Sequence, residues 1–173
     1  NSVLEMSELK AGSTAVNPRR VDVTNEVRVV VDEHQSTAAE KGLNLQIEQE
    51  TVPIQAHVDP VHLERTVAHL VSNAIKYTEE GDVTVRTQSV NGHAVIEVED
   101  EGQGIDEEFM PQLFEAFKQE SSGKTRSHEG IGLGLTITRH LVELMDAEIE
   151  VESEKGVGSC FRIRLPHEPS VPD

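Results

Sequence analysis

The sequence predicts an α+β fold, a two-layer α/β sandwich whose mixed sheet is covered on one face by helices. Three observations carry this. Apolar residues recur at helical spacing in long stretches, most clearly from Asp59 to Thr78 and from Leu133 to Met145. Shorter segments alternate with the period of a half-buried strand, as in Leu-Asn-Leu-Gln-Ile at 43–47. Two further strand segments, Val83 to Ser89 and Ala94 to Glu99, flank the pair Asn91-Gly92, which is the chemistry of a tight hairpin turn. Helices and strands sort into one helical layer on one sheet.

In chain order, Ser2 to Gly12 places Val3, Leu4, Met6 and Leu9 at helical spacing and ends on a glycine stop. It reads either as the closing turns of a longer helix or as a loose chain end. A polar linker to Pro18 leads into a short strand, Arg20 to Val23. Thr24 is then the expected N-cap of a helix carrying Val27 and Val31 to a stop at Gly42. Ile54 to Val58 is a strand, and Asp59-Pro60 a capped helix start with proline at the first helical position. Ile149 to Glu152 and Cys160 to Leu165 close the sheet around Gly156-Val157-Gly158. The expected domain spans residues 15–167, preceded by a segment at 1–14 and followed by a polar tail at 168–173.

With 32 acidic and 15 basic residues the net charge is −17, which argues against a partner bound through a phosphate backbone, so no nucleic acid is expected. The single Cys160 excludes an internal disulfide framework. No apolar run of about 18 residues is present, and no signal peptide. The expected location is cytoplasmic, with room for a membrane anchor upstream of Asn1.

On the Asp59 to Thr78 helix, Leu63, Val67, Leu70, Val71, Ala74 and Thr78 share the core face, and Thr66, His69, Asn73, Lys76 and Tyr77 share the other. The second face collects an amide oxygen, a cation and an aromatic with a polar tip, which suits a metal–phosphate unit. Asp100 ends an apolar strand just before Gly102 and Gly104. There a carboxylate can accept from an exocyclic amine, and glycine lets backbone approach a ring. Ile105 is a candidate wall for the base, and Phe109 either a second wall or a core residue. Gly130-x-Gly132-x-Gly134 before the last helix exposes backbone N–H groups to an anion. Its spacing is not that of a dinucleotide fingerprint, and no GxxxxGK[ST] motif occurs. Between Asp106 and Glu129 the chain is rich in Ser, Gly and charge, with Lys124 and Arg126 either phosphate ligands or solvated loop residues.

NAIKYT at 73–78, DEGQGI at 100–105, FEAF at 114–117 and GIGLGL at 130–135, in this order, resemble the ATP-binding domain of sensor histidine kinases. That domain belongs to the superfamily of DNA gyrase, the heat-shock chaperone ATPases and the MutL repair proteins. The resemblance implies a Bergerat-type fold that binds ATP with Mg²⁺. In it Asn73 supplies an oxygen to the metal, Lys76 contacts phosphate, Tyr77 lines the pocket and Asp100 accepts from the adenine amino group. Gly102, Gly104 and Ile105 surround the base, while Gly130, Gly132, Leu133, Gly134 and Leu135 meet the triphosphate. The segment 106–129 is implied to be an ATP lid anchored by Phe114 and Phe117, and residues 1–14 the end of a dimerisation helix.

The implied reaction is that of a histidine protein kinase: the γ-phosphoryl group passes to a histidine on the kinase's own dimerisation domain, then to an aspartate on a response regulator receiver domain. The parent protein is implied to be a homodimer. His128-Glu129 and His167-Glu168 match the acceptor motif in their acidic neighbour only, so the acceptor is expected outside this chain. His69 departs from the pattern. The hydrolytic branches carry Glu at that position and histidine kinases commonly Asn. A carboxylate base for water attack is therefore missing, and His69 is either a packed or phosphate-contacting side chain or a base. A serine kinase of the anti-sigma type, or a degenerate nucleotide-binding regulatory module, is the alternative reading.

Overall fold

The computed structural model describes residues 16–50, 53–108 and 129–166, the last range through its backbone alone as far as residue 134. Its elements are β1 (Arg19–Asp22), α1 (Val23–Glu40), β2 (Asn44–Gln49), β3 (Gln55–Val58), α2 (Pro60–Tyr77), β4 (Asp82–Val90), β5 (His93–Asp100), α3 (Glu129–Leu144), β6 (Glu148–Glu154) and β7 (Gly158–Arg164). The main sheet has the order β2-β4-β5-β7-β6, and β1 pairs with β3 in a separate antiparallel ribbon. Only β2 and β4 run parallel, so the sheet is mixed as expected.

Alternation along the strands creates two unlike faces. Val83 and Val85, then Ala94, Ile96 and Val98, then Phe161 and Ile163 are buried in one core with Val23, Val27 and Val31 of α1 and Leu63, Leu70 and Ala74 of α2. The opposite face carries a row of alternating charge. Glu48 pairs with Arg86, Arg86 faces Glu97, and Arg162 joins Glu97 to Glu150, at 2.8, 4.0, 2.7 and 3.3 Å. This row spans all five strands because the register sets each acid opposite an arginine.

Thr24 is not the cap of α1. Asp22 takes that place, accepting from the Asn25 N–H at 3.2 Å. The Thr24 hydroxyl is buried and accepts instead from the Ile54 N–H at 3.1 Å, tying the helix start to the approach of β3. At the other end Gly42, with φ +78°, closes a Schellman motif in which Gly42 N–H bonds Ala39 O at 3.0 Å and Leu43 N–H bonds Ala38 O at 2.9 Å.

Asp59 caps α2 with Pro60 behind it, as expected. In the hairpin, Asn91 and Gly92 both have positive φ, 52° and 83°, the backbone of a type I′ turn.

The last helix starts at Glu129, four residues earlier than the reading at Leu133. Glycine costs a helix about 1 kcal/mol per residue but does not break it as proline does, so the glycine run sits in the first turns of α3 and not before it. α3 uses two faces: Leu135 and Val142, with Met145 just past its end, join the main core, while Ile137 and Leu141 form a second cluster with Leu144. Among the described residues no helix is long and apolar enough to cross a membrane.

Candidate functional site

The last turns of α2, the loop after β5, the start of β7 and the α3 residue Leu135 enclose a narrow, mainly apolar cleft whose free volume is about 30 Å³. Six of the residues singled out from the sequence meet there: Asn73, Tyr77, Asp100, Gly104, Ile105 and Leu135. Ala74, Gln103, Ser159 and Phe161 complete the lining and were not anticipated. Ser159 had a readable signal, since it alternates with Phe161 on the helix-facing side of β7. What puts it beside Asp100 is the strand register, which pairs the two directly.

Among the described side chains, Lys76, His69 and Gly102 do not line the cleft. Lys76 is exposed, with its ammonium 5.4 Å over the Tyr77 ring. His69 is half-buried one turn before Asn73. Gly102 lies behind the wall, where a Cβ would stand 2.5 Å from the Tyr77 carbonyl oxygen, so its bareness permits a backbone crossing. Gly130, Gly132, Leu133 and Gly134 lie in the first turns of α3. Backbone N–H groups of a first helical turn have no intrahelical acceptor, which keeps an anion site available. Phe109, Phe114, Phe117, Lys124 and Arg126 fall outside the described residues.

Asp100 is the electrostatic centre of the cleft. It is 8% exposed and accepts from the Gly102 N–H at 2.9 Å and the Ser159 N–H at 3.3 Å. Burial pushes its carboxyl above the ordinary range, and these two bonds only partly oppose the rise. A buried carboxylate short of donors can take one more from a ligand amine. Burial also lifts the Tyr77 phenol to about 12, so it stays a neutral wall.

Two buried polar atoms nearby have no hydrogen-bond partner, Asn73 Nδ2 and Thr78 Oγ1. Such atoms are costly when unpaired, and a bound ligand or its water is the ordinary remedy. The loop itself is held from the β6–β7 side: Gly156 N–H donates to Gln103 O at 2.7 Å and Ile105 N–H to Ser153 Oγ at 2.8 Å. Gly104, at φ +74°, passes so close to the Glu154 carbonyl that no Cβ fits.

This geometry agrees with what the chain is similar to. Residues 58–169 match the family described as histidine kinase-, DNA gyrase B-, and HSP90-like ATPase. The autoinducer 2 sensor kinase/phosphatase LuxQ of Vibrio harveyi is 34% identical over 173 residues, 96% of this chain and 20% of that protein. The circadian input-output histidine kinase CikA of Synechocystis is 34% identical over 175 residues, 99% of this chain and 23% of that protein.

Among solved structures, full-length ShkA in complex with AMPPNP has a TM-score of 0.85 at 26% identity, covering 99% of this chain and 36% of that one. The catalytic domain of the histidine kinase ThkA shares the fold, with a TM-score of 0.76 at 21% identity over 88% of this chain and 99% of that one. The chain thus spans about a fifth of the curated relatives and nearly all of an isolated catalytic domain. With the cleft, the carboxylate at its floor and the asparagine on its helical wall, these likenesses place the chain in the histidine kinase-, DNA gyrase B- and HSP90-like ATPase family, as an ATP-binding catalytic domain of the histidine-kinase kind.

Proposed function

We propose that residues 15–167 are the catalytic domain of a two-component sensor histidine kinase, acting in the cytoplasm within a homodimeric parent. The observation that carries this is the convergence of Asn73, Tyr77 and Asp100 on one cleft. Asp100 selects adenine by accepting from its exocyclic amine, Ile105 and Tyr77 flank the base, and Lys76 with the first turn of α3 receives phosphate.

Asn73 offers an amide oxygen, a hard ligand suited to magnesium. Among the described residues no cluster of His, Cys, Asp or Glu joins it. The donor set fits an ion held mainly by nucleotide phosphates and water. Magnesium, when bound, neutralises phosphate charge.

In the reaction the bond between the γ-phosphorus and the bridging oxygen breaks, a phosphorus–nitrogen bond forms to a histidine of the dimerisation domain, ADP departs and the imidazole loses a proton. Positioning and charge neutralisation supply the catalysis. The phosphoryl group then passes to an aspartate of a response regulator. The test is to supply the dimerisation domain in trans with radiolabelled ATP. Acid-labile, base-stable label on that domain supports the proposal. Acid-stable label would support a serine kinase, and ATP binding without label a regulatory module.

A further inference from the structure

The three described helices do not end alike. α1 closes through the Schellman motif at Gly42. α3 closes through another, where Asp146 N–H bonds Glu143 O at 3.0 Å and Ala147 N–H bonds Val142 O at 2.9 Å. α2 has neither. Its last residue is followed by Thr78 in extended backbone, φ −106° and ψ 120°, and Thr78 Oγ1 has no partner. The last four carbonyls of an α-helix have no intrahelical donor, so those of α2 need donors from elsewhere.

Lys41 supplies them. Its backbone ends α1, and its side chain crosses to α2, where Nζ donates to Ile75 O and Lys76 O at 2.8 Å each. The next carbonyl, Tyr77 O, receives the Gln103 N–H at 3.4 Å from the loop that floors the cleft. Glu79 stands 3.8 Å from the same ammonium but is 89% exposed, so the ion pair contributes little beside the two carbonyl bonds.

The turn gripped in this way carries Ala74 and Tyr77 into the cleft, with Asn73 just before it, whereas Lys41 does not line the cleft at all. A helix C-terminus also presents partial negative charge, which disfavours a nearby polyphosphate, and an ammonium on its carbonyls offsets that charge.

We infer that Lys41 is a positioning residue for nucleotide binding, holding the last turn of α2 in the geometry that the cleft requires. The inference rests on the nucleotide reading of that cleft. Loss of the two bonds lets the turn fray, and the apparent affinity falls in proportion to the fraction of molecules that keep it formed.

The chain reports on this turn directly, since Tyr77 is its one tyrosine and it has no tryptophan. Acrylamide quenching of tyrosine fluorescence is measured without ligand, and ADP affinity by calorimetry, for Lys41→Met, Lys41→Gln and Lys41→Arg. Lys41→Met should raise the quenching constant about twofold or more and weaken ADP about tenfold, equivalent to about 1.4 kcal/mol. Lys41→Gln, with one amide donor group, should fall between it and the parent. Lys41→Arg should stay within about threefold of the parent, because a guanidinium fork can serve two carbonyls.

A merely structural lysine would lower the melting temperature while leaving quenching and affinity of the folded protein unchanged. That result in Lys41→Met overturns the inference, as does a loss in Lys41→Arg equal to that in Lys41→Met. Asp100→Asn, run beside them, separates the two readings. Undiminished ADP binding by Asp100→Asn would defeat the cleft assignment, whereas the ligand-free quenching judges Lys41 by itself.

Discussion

The two ends of α2 each bury a carboxylate, and they treat it in opposite ways. At the N-terminus Asp59 is 5% exposed and accepts from Val61 N–H at 2.9 Å, His62 N–H at 3.4 Å and Asn17 N–H at 2.8 Å. Burial pulls its pKa up, but those backbone donors and the nearby His62 hold the carboxyl below the ordinary range. At the other end Asp100 is 8% exposed, has two backbone donors, and is pushed above that range by its burial. Asp100 lies deeper in the protein, has fewer backbone donors and stands beside Glu99, and these differences together produce the opposite shifts. One carboxylate completes the fold, and the other is left with acceptor capacity facing a cleft. The N-terminal end has an unpartnered atom too, His62 Nδ1, but it lies 3.8 Å from Asp59 Oδ2 on a buried ring and does not line the cleft that holds Asp100.

The largest expected effect comes from removing the acceptor. Asp100→Asn should weaken ATP and ADP on the order of 10²-fold, because an amide N–H facing the adenine amine leaves two donors unpaired at about 1–3 kcal/mol each. The same change removes a buried charge, so the melting temperature at neutral pH should hold or rise. Calorimetry and thermal melts check the pair of outcomes. Intact binding with a lowered melting temperature would make Asp100 a second Asp59 and dissolve the contrast.

Next in size is Asn73→Ala, which on the proposed reading removes an oxygen that only the metal-bridged nucleotide uses. It should weaken Mg-ATP about tenfold and metal-free ADP much less. Equal losses for both ligands, measured by titration with and without chelator, would move Asn73 from the metal to the wall of the pocket.

The opposite end should answer in stability alone. Asp59→Ala removes the N-cap of α2 and the acceptor of the Asn17 N–H, an expected cost of about 0.5–2 kcal/mol. For a domain of this size each kcal/mol lowers the melting temperature by about 2–4 °C. ADP affinity at 20 °C, where the protein remains folded, should match the parent. A matching drop in affinity would mean that the two ends of α2 are coupled and cannot be read separately.

What could be read from the sequence follows from range. Asp59-Pro60 and Asn91-Gly92 declare their structures within two residues, and both are as read. Asn73, Tyr77 and Asp100 were legible because each sits in a short run whose spacing is fixed by one helix or one strand. Ser159 and the row Glu48, Arg86, Glu97, Arg162 and Glu150 needed the pairing register, which no local pattern contains. Thr24 was misread for a similar reason: a hydroxyl near a helix start has a good local use as a cap, and here Ile54, thirty positions away, uses it instead. The start of α3 was misplaced because the glycine run was read as lying before the helix, and a long apolar helix with two buried faces overrides glycine's weak preference against helix.

The smallest effect is the acid profile, where the two carboxylates should separate along the pH axis. Asp59 has a folded pKa below its unfolded value near 3.9, so it contributes stability above that value, and this contribution is lost only as pH falls through the depressed folded pKa. Asp100 has the opposite sign. Its folded pKa lies above the unfolded value, so the stability it contributes is present below the unfolded pKa and is lost as pH rises through the folded one. At neutral pH its ionised form is therefore a burden on the fold, one that the proposed contact to a ligand amine would explain, since an ionised carboxylate is the better acceptor. As pH falls from 7, nucleotide affinity should decline first, while Asp100 takes up its proton, and the stability owed to Asp59 should decline later. ADP affinity and melting temperature measured across the same buffers give the two curves. The nucleotide has titrations of its own, but Asp100→Asn keeps those and removes the protein's, so the difference between the parent and variant profiles belongs to Asp100. Coincident midpoints for affinity and stability in the parent would show that the cleft fails only because the fold does.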